Sequence, residues 1–173
     1  MDTVYTGRVF SVDVGERQFP DGTMHTVEIV RHPPSVVLIP VEPDGRVVVI
    51  RQFRPALGRE IWEFPAGSVN AGESLDDAAR RECEEEIGRV PGQLERLGPH
   101  GATEGLYPTP GFCDEQLIFY RLSDLRAPAP GSPHQMDDDE AIEPRSVTLP
   151  EARAMVANGE IVDLKTAYAL TLI

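Results

Sequence analysis

Two glutamates, Glu82 and Glu86, stand four residues apart in a stretch free of Gly and Pro, Leu75 to Ile87. At about 100° per residue, that spacing puts both on one face of a helix. Leu75, Ala78 and Ala79 share the face, so the carboxylates aim at the core side and not at water. Desolvating an unpaired carboxylate is costly, and two together repel. Something positive must lie between them. Arg81 falls well off that face, which leaves a divalent cation, and an all-oxygen donor set suits a hard ion such as Mg²⁺ or Mn²⁺. The competing reading is a solvated acidic helix, since charge runs are usually solvated faces. The wheel position and the Gly-rich loop ahead of the helix favour the metal.

The helix has its own signals. Ser74 is a candidate N-cap with Asp77 three residues on, and Gly88 sits where a C-cap glycine belongs. Arg80 and Glu84 are expected to point outward, with Glu85 at the edge of the acidic stripe and Cys83 and Ile87 on its other flank. Ahead of the helix, residues 3–31 read as strands around a Pro20-Asp21-Gly22 turn. The continuous apolar run 35–41 reads as a buried central strand. Pro43-Asp44-Gly45 turns into 46–53, so these two strands are expected to form a hairpin. A short strand at 60–64 leads through Pro65-Ala66 into the loop. After the helix, a connection runs through Pro91 to 94–97, then a strand spans 116–122. Residues 126–136 form a Pro/Gly/Ser-rich loop and 142–148 a last strand. Pro150 opens a helix to about Gly159, and 163–173 make a C-terminal helix.

At 173 residues the chain suits one domain, 1–173, with a full core. No apolar run approaches 18 residues and Met1-Asp2-Thr3 begins no signal peptide, so neither membrane nor export is expected. Cys83 and Cys113 read as free thiols of a reducing compartment, the cytoplasm. The net charge of −13 argues against nucleic acid as a partner. It also obliges any phosphate-bearing substrate to rely on cations and local arginines.

Gly67, then Glu73, then Arg81-Glu82-Cys83-Glu84-Glu85-Glu86-Ile87-Gly88 resembles the signature of the Nudix hydrolases. Cys83 stands where the pattern has an aliphatic residue, and Arg89 where it expects another. The N-terminal strands, QFRPALGREIWEFPAG and YPTPGFCDE extend the likeness, over about Gly7 to Gly159, to the ADP-ribose pyrophosphatase branch. The resemblance implies an α+β fold, a Nudix-type αβα sandwich with a mixed β-sheet and an extra N-terminal antiparallel sheet. It implies metal-dependent cleavage of ADP-ribose to AMP and ribose 5-phosphate, with two or more Mg²⁺ ions (Mn²⁺ substituting).

By the same resemblance Glu82 and Glu86 are metal ligands completed by the backbone carbonyl of Ala66, and Glu85 shares a metal or positions a water. Glu73 and Arg81 brace the Gly67 loop on the helix. The general base comes from a late acidic segment, with Glu140 the first candidate, Asp138 the second and Asp137 read as a solvated tip. Arg54 is the candidate grip on the substrate phosphates, and Arg51 lies on the opposite strand face. Gly111 offers either a close backbone approach or merely a turn, and Glu115 a carboxylate for ribose hydroxyls. Residues 1–34 are expected to contribute to a homodimer, whose strands grip adenine through positions matching Glu28 and Val9. Trp62 reads as core or dimer interface, and the histidines stay unassigned. Two rivals remain: a pyrophosphatase for another nucleoside diphosphate sugar such as GDP-mannose, and a non-catalytic nucleotide-sugar sensor.

Overall fold

The computed structural model describes residues 1–98, 105–132, 134 and 142–173. Among these, three sheets and three helices form. Strands β1 (Asp2–Thr6), β2 (Ser11–Gln18) and β3 (Met24–Arg31) make an antiparallel meander. A four-stranded sheet has the order β7 (Ala66–Ser68), β4 (Ser35–Pro40), β9 (Leu117–Arg126), β8 (Val90–Leu97). Its β4–β9 pair is parallel and the rest antiparallel, so the sheet is mixed as expected. An antiparallel trio completes the set: β10 (Glu143–Val147), β5 (Val47–Arg54), β6 (Arg59–Glu63).

The apolar run of β4 explains the layering. Alternate residues of a strand face opposite sides. Val36 and Leu38 pack with Ala78, Ala79, Cys83 and Ile87 of α1 (Leu75–Ile87). Val37 and Ile39 pack with Ala152 and Met155 of α2 (Leu149–Ala157) and Ala169 of α3 (Leu164–Ala169). A strand covered on both faces needs an apolar side chain at nearly every position. The result is helix, sheet, helix.

The expected hairpin of 35–41 with 46–53 does not form. The Asp44-Gly45 turn reverses the chain and Val41 bridges Val47. Beyond that bridge β4 pairs with β7 and β9, while β5 pairs with β6 and β10. The chain therefore changes sheets at the turn. Residues 90–97 are a full strand and not a connection, and the C-terminal helix is only Leu164–Ala169.

Candidate active site

The helix α1 begins as its sequence dictates. Ser74 Oγ accepts from the Asp77 backbone N–H at 3.1 Å, and Gly88 closes the other end at φ 64°. Asp76 in the first turn takes the Tyr120 hydroxyl at 2.6 Å and Arg96 Nη2 at 2.8 Å. Tyr120 Oη in turn accepts from Arg96 Nε at 2.6 Å. These bonds fasten the helix start to β8 and β9. The Tyr120 hydroxyl, and then Arg96, hold the Asp76 carboxyl below its ordinary range.

Glu82 and Glu86 are both buried on the β7 side of α1. The Ala66 N–H donates to Glu86 Oε2 at 2.9 Å. Gly67 lies so close to Glu82 that a Cβ there would sit 2.0 Å from the carboxyl carbon and from Oε1. β7 is therefore a backbone shelf under the acidic pair, and with the Glu82 carboxylate in place only glycine fits at its centre.

Arg81 departs from expectation. Its side chain folds back to the acidic face, with Nη1 donating to Glu82 Oε1 at 2.6 Å and to Glu85 Oε2 at 2.9 Å. Nε and Nη2 hold the two oxygens of Glu73 at 2.8 and 2.9 Å, and Nη2 also reaches the Ser68 carbonyl. A helical wheel locates Cβ, whereas a long guanidinium reaches beyond it. The Glu73 bond, followed by Glu82 and Glu85, raises the Arg81 pKa.

Glu84 is a second correction. It is buried, and its Oε1 has no hydrogen-bond partner among the described residues. The helix is covered on more than the one face its apolar residues marked. Cys83 is fully buried, and burial pushes its thiol up to about 12.

Whether these residues suit a hard cation can be judged from their own chemistry. Glu82, Glu85 and Glu86 offer carboxylate oxygens on one side of a helix, beside a glycine that leaves room for one of them. That donor set fits Mg²⁺ or Mn²⁺. Among the described residues no three acidic, His or Cys side chains converge on one point; the Arg81 guanidinium draws Glu82 and Glu85 toward itself instead.

Beside the shelf lies a cavity of about 560 Å³. Ala66 and Gly67 line it, so β7 is common to the cavity and the carboxylates. Arg54, Glu115 and Val9 also line it, whereas Gly111 and Glu28 do not. Gly111 and Glu28 are exposed, the latter on β3 opposite Val14. Glu115 accepts from Ser35 Oγ at 2.7 Å, with His32 Nδ1 at 3.6 Å.

The Arg54 fork is already engaged. Nε and Nη2 donate to the two oxygens of Glu63 at 2.7 and 2.8 Å. Burial alone would lower the Arg54 pKa, but the Glu63 bond and the charges of Glu63, Glu86 and Asp163 outweigh it. The sequence reading passed over Glu63 and Lys165, which pairs with it across the cavity wall. One signal was present: Ile61 and Glu63 alternate onto the same strand face, and both are buried. Arg51 takes the opposite face, over the Trp62 ring with Arg145, and Trp62 packs partly buried against the core. His134 lies 3.5 Å from Glu85. The segment holding Glu140 and Asp138 falls outside the described residues.

Comparison with known proteins gives a family and several relatives. A family model described as "NUDIX domain" matches residues 31–166. The chain is 33% identical over 169 residues to an ADP-ribose pyrophosphatase of Bacillus subtilis, covering 98% of this chain and 87% of that one. It is 33% identical over 171 residues to a methanol dehydrogenase activator of Bacillus methanolicus, again covering 98% and 87%. A crystal structure described as an ADP compounds hydrolase superposes with a TM-score of 0.81 at 22% identity, over 99% of this chain and 88% of that one.

Proposed function

The chain belongs to the NUDIX family, and from that membership we propose that it hydrolyses the pyrophosphate bond of ADP-ribose, releasing AMP and ribose 5-phosphate. One observation carries the reading: a buried rank of carboxylates meets the backbone of β7 at the rim of a cavity. At about 300–1,000 Å³, small-molecule sites span the size of that cavity. The near-full-length likeness to an ADP-ribose pyrophosphatase supports the choice of ADP-ribose over GDP-mannose. A non-catalytic sensor is disfavoured by the intact set of Glu82, Glu85 and Glu86.

Glu82 and Glu86, with the Ala66 carbonyl, would hold divalent cations, two or more of them, Mg²⁺ with Mn²⁺ as substitute; Glu85 would share one or orient a water. When bound, such ions neutralise the diphosphate and lower the pKa of water to a usable value. With such ions in place Arg81 would still hold Glu73 and the Ser68 carbonyl, and so the Gly67 loop. Arg54 presents positive charge from the cavity wall to the diphosphate. Glu115, oriented by Ser35, meets ribose hydroxyls. Gly111 serves as a turn, away from the cavity. Proton removal from the attacking water falls to Glu140, or failing that Asp138, on the family resemblance. Val9 and Glu28 contact adenine across a homodimer built on the N-terminal strands. The free thiols are consistent with the cytoplasm.

The test is turnover of ADP-ribose, GDP-mannose, NADH and diadenosine polyphosphates with Mg²⁺. ADP-ribose is expected to give the highest kcat/KM, and absence of that preference removes the substrate assignment. Glu86→Gln should lower kcat by about 10²-fold or more with the fold intact, because it removes a metal ligand and little volume. Activity within about threefold of the parent would remove the ligand assignment.

A further inference from the structure

Lys165 is the only lysine of the chain, whose other fifteen basic side chains are arginines. It lines the cavity, with its side chain only 17% exposed. Its Nζ donates to Glu63 Oε2 and, at 2.9 Å, to Asp163 Oδ1. Glu63 Oε2 also accepts from Arg54 Nη2. One fully buried carboxylate is thus shared by two cations, both on the cavity wall. The arrangement is tied on both sides of the lysine. The Phe64 N–H donates to the buried Thr166 Oγ1 at 2.7 Å, and Asp163 caps α3 through Thr166. Glu63–Lys165 and Phe64–Thr166 are neighbouring rungs between the end of β6, with the residue after it, and the start of α3.

The charge inventory gives this a consequence. Arg54 and Lys165 balance Glu63 and Asp163. Without Lys165, Glu63 would be balanced by Arg54 alone, and the cluster would face an anionic substrate with net negative charge. Resting on the reading above, we propose that Lys165 is a positioning residue for substrate binding. It neutralises Glu63, so that Glu63 orients the Arg54 guanidinium without cancelling its charge toward the diphosphate. The diphosphate is anionic in ground and transition states alike, so the loss falls on binding.

The experiment measures Lys165→Met, Lys165→Gln and Lys165→Arg, alone and combined with Arg54→Met, against ADP-ribose. Both neutral variants should raise KM about tenfold with kcat within about threefold, and Lys165→Arg should restore KM to within about threefold. In the Arg54→Met background, Lys165→Met should change KM by less than about twofold, because its route of action is gone. An active parent enzyme with KM within about twofold in Lys165→Met overturns this inference alone. Full additivity with Arg54→Met also overturns it, as does loss of folding by circular dichroism in both neutral variants. A parent enzyme inert toward ADP-ribose overturns the substrate reading and this role with it.

Discussion

Gly67 has no space for a methyl group. A Cβ there would lie 2.0 Å from the Glu82 carboxyl carbon, and the strand behind it is paired to β4 through Val36. Glu82 would have to leave the shelf. Gly67→Ala is therefore expected to lower kcat/KM by about 10²-fold and to weaken Mn²⁺ binding, read by paramagnetic titration, while the far-ultraviolet circular dichroism stays unchanged. Glu82 and Glu86 were legible because their spacing and their apolar neighbours lie within about three helical turns. Glu84 was not: periodicity marks the face a helix offers one layer, and α1 has further cover. Arg81 was misread because side-chain reach exceeds what a wheel projects. Glu63 and Lys165 stand 102 residues apart, and only the folded chain makes them a pair.

The start of α1 carries a titratable latch. Asp76 is held below its ordinary value of 3.8, first by the Tyr120 hydroxyl and then by Arg96. A depressed carboxyl contributes stability above its unfolded pKa and loses that contribution as pH falls through the lower folded value. Tyr120→Phe removes the largest cause while keeping the ring in the core. Its melting temperature should lie below the parent's at pH 7, and the gap should narrow as pH drops below about 4. A gap independent of pH would show that Asp76 does not gain from the hydroxyl. Caps and central strand were readable because both are local: Ser74, Gly88 and the run at β4 need no distant partner. The switch of sheets after Val41 was not, since partner choice depends on β9, about 80 residues on. The strand at 90–97 was obscured by Pro91 and Gly92, which depress strand propensity.

At the scale of the molecule, the N-terminal sheet stands apart. All of β1 is exposed, and β2 and β3 contain no fully buried residue. Its links to the rest include the Val30–Cys113 bridge, the Val30 N–H to the Phe112 carbonyl, and Asp114, which takes Arg31 Nη1 at 2.7 Å and the His32 N–H at 3.0 Å. Val4, Tyr5, Val9 and Phe10 are among its exposed apolar side chains. A three-stranded sheet with so little cover calls for a second surface. Light scattering is expected to give about twice the 19.0 kDa chain mass, and Tyr5→Asp with Phe10→Asp should shift the particle toward one chain. A monomeric parent would refute the pairing.

The scarcity of amines has a practical side. An acylating dye or a coupling resin finds a single side-chain amine, Nζ of Lys165. That amine lies on the cavity wall, with its side chain 17% exposed. Lys165 is further withheld by the two carboxylates that grip it. Mild conjugation would therefore leave the cavity unmarked.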